Sequence, residues 1–464
     1  MREHKHDLNE LTAIYPGDGR YWGLTEELCP FMSEAGLVSI RIELEARYLI
    51  ALSKVGAIRP LNADEEKFLM GLTQNFDIEK VRDVKEIEET TKHDVKAIEK
   101  LFAKLFFGNS MEDLTCMVHI LLTSEDINNL AYRIMYSRAL KEVYIPALED
   151  LVDVLTDKAR EWQKIALLGL THGQPAIPTT LGKEIVNFAI RIDAQVGKLK
   201  AQKLKGKLNG AIGNYNSFYV AHPQVDWLEF SSQFVANWGF EVDYFTTQIN
   251  PFDDLVESFQ TLQRINSIMI GFNQDMWRYI SDNIFVQTKK PGEIGSSVMT
   301  QKINPIFFEN GEGNFKIANG IWEVLCRELL ISRLQRDLVN STEVRNVGPG
   351  LASGLIAIKN TINAIGRINP NHEQLDADLN KNWNILGEVI QTVLRSEKVP
   401  DAYALVEKFT KGMSLSESQY KVRVSELPIS GAAKSRLLAL SPQTYVGKAS
   451  DLVDKAIAQI RFGR

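Results

Sequence analysis

Cysteine is scarce in this sequence of 464 residues, which contains three: Cys29, Cys116 and Cys326. Cysteines so far apart in sequence form neither a disulfide framework nor a zinc-binding pattern. The seven histidines include no pair with metal-ligand spacing such as His-Glu-x-x-His. We therefore expect no metal site, and a reducing, cytoplasmic setting is the simplest interpretation.

Long apolar runs and basic blocks are also lacking. The first seven residues are polar and no apolar stretch follows them, so we expect neither a signal peptide nor a membrane partner. The formal net charge is -6 and both signs are spread along the chain, so we expect no nucleic-acid partner. An anionic ligand would therefore need a local cationic pocket.

Proline is rare, with fifteen in the chain and none between Pro60 and Pro146, which permits long helices. After Pro251, apolar residues recur at steps of three and four, as on one face of a helix of about seven turns. They are Leu255, Phe259, Leu262, Ile265, Met269, Phe272, Met276 and Ile280. Similar runs fill 125–160, 181–205 and 306–335, and 240–246 is the best candidate for a short extended piece.

These patterns predict an all-α fold. Helices this long are typical of a bundle, and a bundle can continue across subunits. We place one domain boundary after the turn at Gly108–Ser110 and another at Gly366–Pro370. The predicted domains are an N-terminal helical domain (1–112), a central long-helix bundle (113–365) and a C-terminal helical domain (366–464).

A stiff loop, Thr171–Thr180, contains two prolines and a glycine and precedes a predicted helix that Thr179 or Thr180 can cap. Its histidine, His172, is either an exposed turn residue or a group that exchanges protons near neutral pH. For such a loop taken alone, the first interpretation is the commoner one.

A second polar stretch runs from Pro291 to Pro305. Two glycines before Ser296 predict a mobile flap that closes over a site, although the pattern fits a flexible surface loop equally well. If Ser296 acts as a base, backbone amides, a helix N-terminus and Lys302 can ease the departure of its proton.

The segment Thr123–Asn129 has Thr123 or Ser124 as a helix cap and Asp126 in the first helical turn. This interpretation leaves the asparagine pair at its end unexplained, because asparagine is a poor helix former.

Three arginines follow in the segment 332–345, namely Arg333, Arg336 and Arg345. They lie within about four helical turns if the preceding helix continues. Arginines with hydroxyl groups suit phosphate or carboxylate recognition, whereas a solvated charged face is the commoner explanation.

Taken together, these segments resemble a known family. Gly295–Pro305 matches the loop Gly-Ser-Ser-x-Met-Pro-x-Lys-x-Asn-Pro of the fumarase/aspartase superfamily, except that Thr300 replaces the proline, which predicts a more flexible loop. Within the superfamily the chain resembles the bacterial-type branch of the adenylosuccinate lyase family. The segments that carry this likeness are Asp18–Trp22, Thr91–Ala97, Thr123–Asn129, Thr171–Thr180, Thr247–Gln248, Phe308–Asn310 and Gln335–Asp337.

The resemblance implies a three-domain fold whose central helices assemble into the helix core of a homotetramer, with each site shared by three subunits. It implies cleavage of adenylosuccinate to AMP and fumarate, and of the succinylated ribotide SAICAR to AICAR and fumarate. These small molecules are the expected partners, and no cofactor is implied.

The resemblance also implies roles for individual residues. Ser296 is the expected base that takes the Cβ proton, and His172 is the expected acid that protonates the leaving nitrogen. Lys302 and Asn304 would hold the carboxylate that gains charge, with a hydrogen bond from Ser297. The other predicted substrate-binding residues are Arg20, Tyr21, Lys92, His93, Asp94, Thr123, Ser124, Gln248, Asn310, Arg336, Ser341, Thr342 and Arg345; Lys92 stands where that branch often has asparagine.

Two alternatives remain open. One is another member of the superfamily, such as an argininosuccinate lyase or an aspartase, against which Lys92–Asp94 and Gln335–Asp337 argue. The other is a helical scaffold of the same fold without catalytic activity, against which the presence of both His172 and Ser296 argues.

Overall fold

The fold is seen in a computed structural model that describes residues 8–73, 77–289, 292, 299, 302–410 and 415–463. Helices account for 67% of the structure, so the predicted all-α class is confirmed. The α-helices are α1 (Trp22–Thr25), α2 (Cys29–Met32), α3 (Glu34–Lys54), α4 (Ala63–Gly71), α5 (Ile78–Thr91), α6 (Asp94–Phe106), α7 (Ser124–Ala139), α8 (Ile145–Glu161), α9 (Leu181–Ala201), α10 (Asn216–Ala221), α11 (Trp227–Ala236), α12 (Asp253–Ser281), α13 (Ile306–Glu328), α14 (Val339–Glu343), α15 (Val347–Ile365), α16 (His372–Lys381), α17 (Gly387–Ser396), α18 (Ala402–Thr410), α19 (Glu417–Glu426), α20 (Gly431–Leu438) and α21 (Ala449–Gly463).

Short elements complete the secondary structure. The 3₁₀ turns are Glu26–Leu28, Glu112–Met117, Val344–Asn346 and Trp383–Leu386, and a π-helical turn, Leu140–Tyr144, separates α7 from α8. The strands are β1 (Ala166–Leu167), β2 (Leu170–Thr171), β3 (Gln174–Pro175), β4 (Thr179–Thr180), β5 (Lys205–Gly206), β6 (Glu241–Val242), β7 (Phe285–Gln287) and β8 (Ile368–Pro370). They form two-stranded pairs, of which β5 with β6 is parallel and β1 with β4, β2 with β3 and β7 with β8 are antiparallel.

The long helices confirm the periodicity of the sequence. Helix α12 has 29 residues, and seven of the eight apolar residues predicted for its inner face are buried, from Leu255 to Met276. The predicted extended piece at 240–246 contains β6. The run 306–335 is shorter than predicted, because α13 ends at Glu328.

The chain divides into two compact units. The first comprises Met1–Ala147, Lys198–Ser267 and Gly313–Ala357, and the second comprises Leu148–Gly197, Ile268–Glu312 and Ile358–Arg464. The predicted division into three domains at 112 and 365 stays a prediction.

Each unit has its own aromatic core. In the first unit Tyr48 packs edge-on against Phe230 and Phe234, with ring centroids 6.0 and 5.9 Å apart. In the second, Trp383 packs against Tyr420 at 5.3 Å within a cluster of buried aliphatic side chains. Offset and edge-to-face rings at such distances add to the free energy gained from burial.

Candidate active site

The start of α7 is fixed by a buried carboxylate. Asp126, in the first turn, accepts a hydrogen bond from the backbone N–H of Thr123 at 2.9 Å, so of the two candidate caps Thr123 rather than Ser124 begins the helix. The other carboxylate oxygen accepts from the Lys207 ammonium at 2.6 Å and the Asn209 backbone N–H at 3.0 Å. Asp126 therefore ties the predicted binding residues Thr123 and Ser124 to the segment after β5.

Lys207 is a residue that sequence reasoning missed. Its side chain and that of Asp126 both have 0% exposure, and its ammonium also donates to the Gly210 carbonyl at 2.9 Å. Lysine is almost never fully buried unless it is paired. The sequence signal is weak, since Lys207 follows four other lysines between 198 and 205 that the sequence does not distinguish from it.

The asparagine pair of α7, which helix propensity left unexplained, joins this helix to the backbone after β5 through Asn129 and to the Arg41 side chain of α3 through Asn128. Asn129 accepts from the Lys207 backbone N–H at 2.9 Å and donates to the Lys207 carbonyl at 3.0 Å, so its amide imitates a strand neighbour. Asn128 accepts from the Arg41 guanidinium at 3.0 Å. Both are buried, and their hydrogen bonds offset the cost of burial.

Arg336 joins three segments that the sequence predicted separately. Its guanidinium donates to Gln248 Oε1 at 2.8 Å, to the Ser124 hydroxyl at 3.4 Å and to Glu125 Oε1 at 3.0 Å. Glu125 is 4% exposed, and burial raises the pKa of its carboxyl in spite of the nearby charge of Arg336. The structure thus brings Ser124, Gln248 and Arg336 together.

The preceding helix does not continue through the three arginines, so the condition under which they would share one helix is not met. Helix α13 ends at Glu328, Arg333 and Arg336 lie in the connection that follows, and Arg345 lies in a 3₁₀ turn after α14. Asp337 accepts from the backbone N–H groups of Arg333 and Val339, which supports a turn there. The short helix α14 carries the half-buried Ser341 and the exposed Thr342.

A second group of charges surrounds Asp94. Its Oδ2 accepts from the buried Arg41 at 2.7 Å and lies 3.8 Å from Arg345, which also donates to Glu34 at 3.2 Å. Burial alone would raise the pKa of Asp94, but the charge of Arg41, the Val95 backbone N–H and His93 outweigh burial and hold it below the usual value. Asp94 is therefore held as a carboxylate.

The residues before Asp94 shape the same corner. Lys92 ends α5 in a left-handed conformation with φ 54, and His93 caps α6 through its Nδ1, which accepts from the Lys96 backbone N–H at 3.1 Å. Both side chains are exposed. Arg20 is also exposed, with its guanidinium 5.9 Å from the ring centroid of the half-buried Tyr21.

A small cavity adjoins Arg345. Its volume is about 140 Å³, and Glu34, Tyr132 and Arg345 supply polar groups to a lining that is otherwise largely apolar. This volume is below the roughly 300–1,000 Å³ of typical small-molecule sites, so the cavity by itself does not define one.

In the second unit, His172 lies at the tip of a hairpin. Strands β2 and β3 are joined by His172 and Gly173, whose φ values are 53 and 72. Two successive residues with positive φ define the tight turn that matches the twist of paired strands. His172 is exposed, as both interpretations of the sequence allowed, and Thr180 rather than Thr179 accepts from the Lys183 backbone N–H at the start of α9.

The other predicted residues of the second unit precede or begin α13. Lys302 is exposed, Asn304 is half-buried, and Asn310 accepts from the Asn360 amide at 2.8 Å. The predicted base Ser296, its neighbour Ser297 and the unusual Thr300 lie outside the described residues, and so does most of the predicted flap.

Within the described ranges, no group of three or more histidine, cysteine or acidic side chains is arranged to hold a metal ion. None of the helices described is both long enough and apolar enough to cross a membrane.

Two family models match the chain. A model described as "Lyase" matches residues 19–318, and one described as "Adenylosuccinate lyase C-terminal" matches residues 332–446. Proteins named adenylosuccinate lyase from Haemophilus influenzae, Escherichia coli K12 and Vibrio cholerae are 42%, 39% and 38% identical to it. Each alignment covers 97% of this chain and at least 99% of the relative.

Solved structures with the same fold are more distant in sequence. The 3-carboxy-cis,cis-muconate lactonizing enzyme of Pseudomonas putida has a TM-score of 0.74 at 18% identity, over 94% of this chain and 97% of that one. A fumarate lyase of Mesorhizobium sp. BNC1 has a TM-score of 0.75 at 15% identity, over 93% and 97%.

The helical fold and the match at 19–318 define a lyase of the fumarase/aspartase superfamily. The sequence identity to these relatives over nearly the whole chain defines the family within this superfamily. The chain belongs to the adenylosuccinate lyase family and is a carbon–nitrogen lyase.

Proposed function

We propose that this chain eliminates fumarate from adenylosuccinate, which yields AMP, and from SAICAR, which yields AICAR, in purine nucleotide biosynthesis. The observation that carries the proposal is the 42% identity to a protein named adenylosuccinate lyase over 97% of the chain. The convergence of Ser124, Gln248 and Arg336 supports it, because a phosphate- and carboxylate-bearing substrate needs such donors.

The proposed chemistry is an anti β-elimination. Ser296, as an alkoxide, takes the proton from the succinyl Cβ, and the electron pair that remains is delocalised into the adjacent carboxylate. That pair then forms the C=C bond of fumarate while the C–N bond breaks. His172 gives its proton to the leaving nitrogen, so that each turnover moves one proton onto Ser296 and one from His172.

The anionic intermediate needs positive charge and hydrogen-bond donors. Stabilisation of such developing charge is usually the largest single contribution to catalysis. Lys302 and Asn304 are proposed to hold the charged carboxylate, and Arg336 and Arg345 the nucleotide side. A local supply of arginine and lysine fits the anionic substrates although the whole chain has a net charge of -6.

We also propose that the enzyme is a cytoplasmic homotetramer in which three subunits contribute to each site. Helix α13 supports an assembly, since Gly313, Ile317, Gly320 and Val324 follow at steps of four, three and four and so share one face. Ile317 is 60% and Val324 46% exposed, and in the described part of the chain nothing lies within 4 Å of a Cβ built on either glycine. An exposed apolar face with small residues allows another helix to approach closely.

The direct test is fumarate release by the purified protein, followed by ultraviolet absorbance. Adenylosuccinate is expected to be cleaved and argininosuccinate is not, and Ser296→Ala is expected to lose most turnover while it keeps its oligomeric state. Cleavage of argininosuccinate alone would move the chain to another branch of the superfamily. Failure with every substrate would favour a scaffold without activity.

A further inference from the structure

A buried arginine that the sequence did not single out lies between the two groups of predicted binding residues. Arg41, on α3, is 1% exposed. Its Nε donates to Asn128 Oδ1 at 3.0 Å, and one terminal nitrogen donates to Asp94 Oδ2 at 2.7 Å. Arg41 thus connects α7 to the start of α6.

The connection continues on both sides. Asn128 donates to Glu125 Oε1 at 3.4 Å, and the same oxygen accepts from Arg336 at 3.0 Å. On the other side, the Asp94 oxygen that Arg41 contacts lies 3.8 Å from Arg345. Charged groups of opposite sign and the Asn128 amide therefore form one continuous path from Arg336 to Arg345, which passes through Arg41.

The pairing of Arg41 is poor for a residue that serves stability alone. Its second terminal nitrogen is buried and has no hydrogen-bond partner among the described residues. Arg133 of α7 provides the contrast, because it is equally buried but forms a two-point ion pair with Asp254 at 2.9 and 2.7 Å and uses all three nitrogens. A buried cation with an unused donor is costly, so the presence of Arg41 at this position calls for a reason beyond packing.

We propose that Arg41 is a positioning residue of the substrate site. Its planar guanidinium holds Asp94 and, through Asn128 and Glu125, Arg336 in the arrangement that receives the substrate. The guanidinium suits this task because its donors are fixed in one plane and stay charged, whereas lysine offers a single mobile point charge. The inference rests on the proposed function, since it assigns Asp94 and Arg336 to that site.

The experiment compares three variants with wild-type enzyme, using adenylosuccinate as substrate. Arg41→Met removes the charge and keeps much of the volume, Arg41→Lys keeps the charge without the two-point geometry, and Asn128→Ala breaks the path toward Glu125 alone. Arg133→Met is the matched control. Arg133 is a fully buried arginine of the same unit, and none of the partners described for it is a predicted binding residue.

In Arg41→Met we expect KM to rise about tenfold or more, with a smaller change in kcat. This result is typical of losing an interaction that stabilises the bound substrate and the transition state equally. The acidic limb of kcat/KM should also move to higher pH, because loss of the Arg41 cation lets burial raise the pKa of the Asp94 carboxyl. The charged and titratable groups that still face Asp94 are His93, Arg345 and Tyr132.

The variants Arg41→Lys and Asn128→Ala separate the effect of geometry from the effect of charge. Arg41→Lys should raise KM but leave the acidic limb near its wild-type pH, and Asn128→Ala should do the same. If Arg41→Met fails to fold, either of these two variants still tests the proposal through its KM. Arg133→Met should lower the thermal midpoint without moving KM or the limb.

The inference is overturned if the Arg41 and Asn128 variants keep the KM and the pH dependence of the wild-type enzyme. It is also overturned if these variants, like Arg133→Met, lose thermal stability without a change in KM. Those outcomes leave the proposed function intact, since they presuppose an active wild-type enzyme. If wild-type protein neither cleaves adenylosuccinate nor binds AMP in calorimetry, the proposed function fails and this inference fails with it.

Discussion

At the scale of single residues, the predicted binding groups depend on buried polar side chains that hydrophobic patterning does not reveal. Charged residues are normally assigned to the solvent side, and Lys207, Arg41 and Glu125 are exceptions. One signal was available for Arg41, because it lies four residues after Leu37 and seven before Tyr48, on the buried face of α3. Nothing comparable marks Lys207, whose burial follows from tertiary contacts.

The ion pair between Lys207 and Asp126 gives a prediction at this scale. Lys207→Met should leave a buried carboxylate without its cation and lower the free energy of unfolding by about 3–5 kcal/mol. The measurement is the thermal midpoint at a fixed protein concentration.

Lys205→Met is the control, since Lys205 is exposed two residues earlier and its replacement should change stability by at most about 0.5 kcal/mol. Adding Asp126→Asn to Lys207→Met should recover part of the loss, because the unpaired charge is then gone. Equal midpoints for the two lysine variants would contradict the structural role of the pair.

At the scale of elements, the sequence predicts the helices well and their ends less well. Periodicity located α12 to within two residues at its start, because a face of eight apolar residues leaves little freedom. The end of α13 was misplaced by seven residues, from 335 to Glu328, because apolar residues continue into the connection beyond it. The loop around His172 was predicted as stiff, but its hairpin was not, since strands of two residues are too short to show alternation.

The hairpin determines how the proposed acid should be tested. Asparagine tolerates the positive φ of 53 at position 172, whereas alanine does not. His172→Asn should therefore remove the proton donor and keep the turn, and we expect turnover to fall by about 10²–10⁴-fold at an unchanged thermal midpoint. His172→Ala should lose turnover and also strain the hairpin.

His372→Asn, at an exposed histidine of the same unit, should leave kcat unchanged and so controls for the substitution itself. Near wild-type activity of His172→Asn would remove this residue from the proposed mechanism.

At the scale of the whole molecule, the homotetramer is predicted from family resemblance and not from the sequence pattern. Composition and periodicity alone indicated long helices that can continue across subunits. The uncovered face of α13 bears on this proposal, because a monomer gains nothing from exposing Ile317 and Val324. The same face would link assembly to activity under the proposal that three subunits build each site, since such a site cannot form in a lone chain.

Ile317→Glu tests that link. A charge in the centre of the face should prevent close helix packing and leave the fold of the chain intact, because the side chain is 60% exposed before assembly. Light scattering after size exclusion should show smaller species than for wild-type protein, and turnover should fall with the assembled fraction.

Val422→Glu is the matched control, since Val422 is 56% exposed on α19. A tetramer of Ile317→Glu with full activity would mean that α13 does not form the interface, whereas dissociated subunits with full activity would mean that each site is complete within one chain.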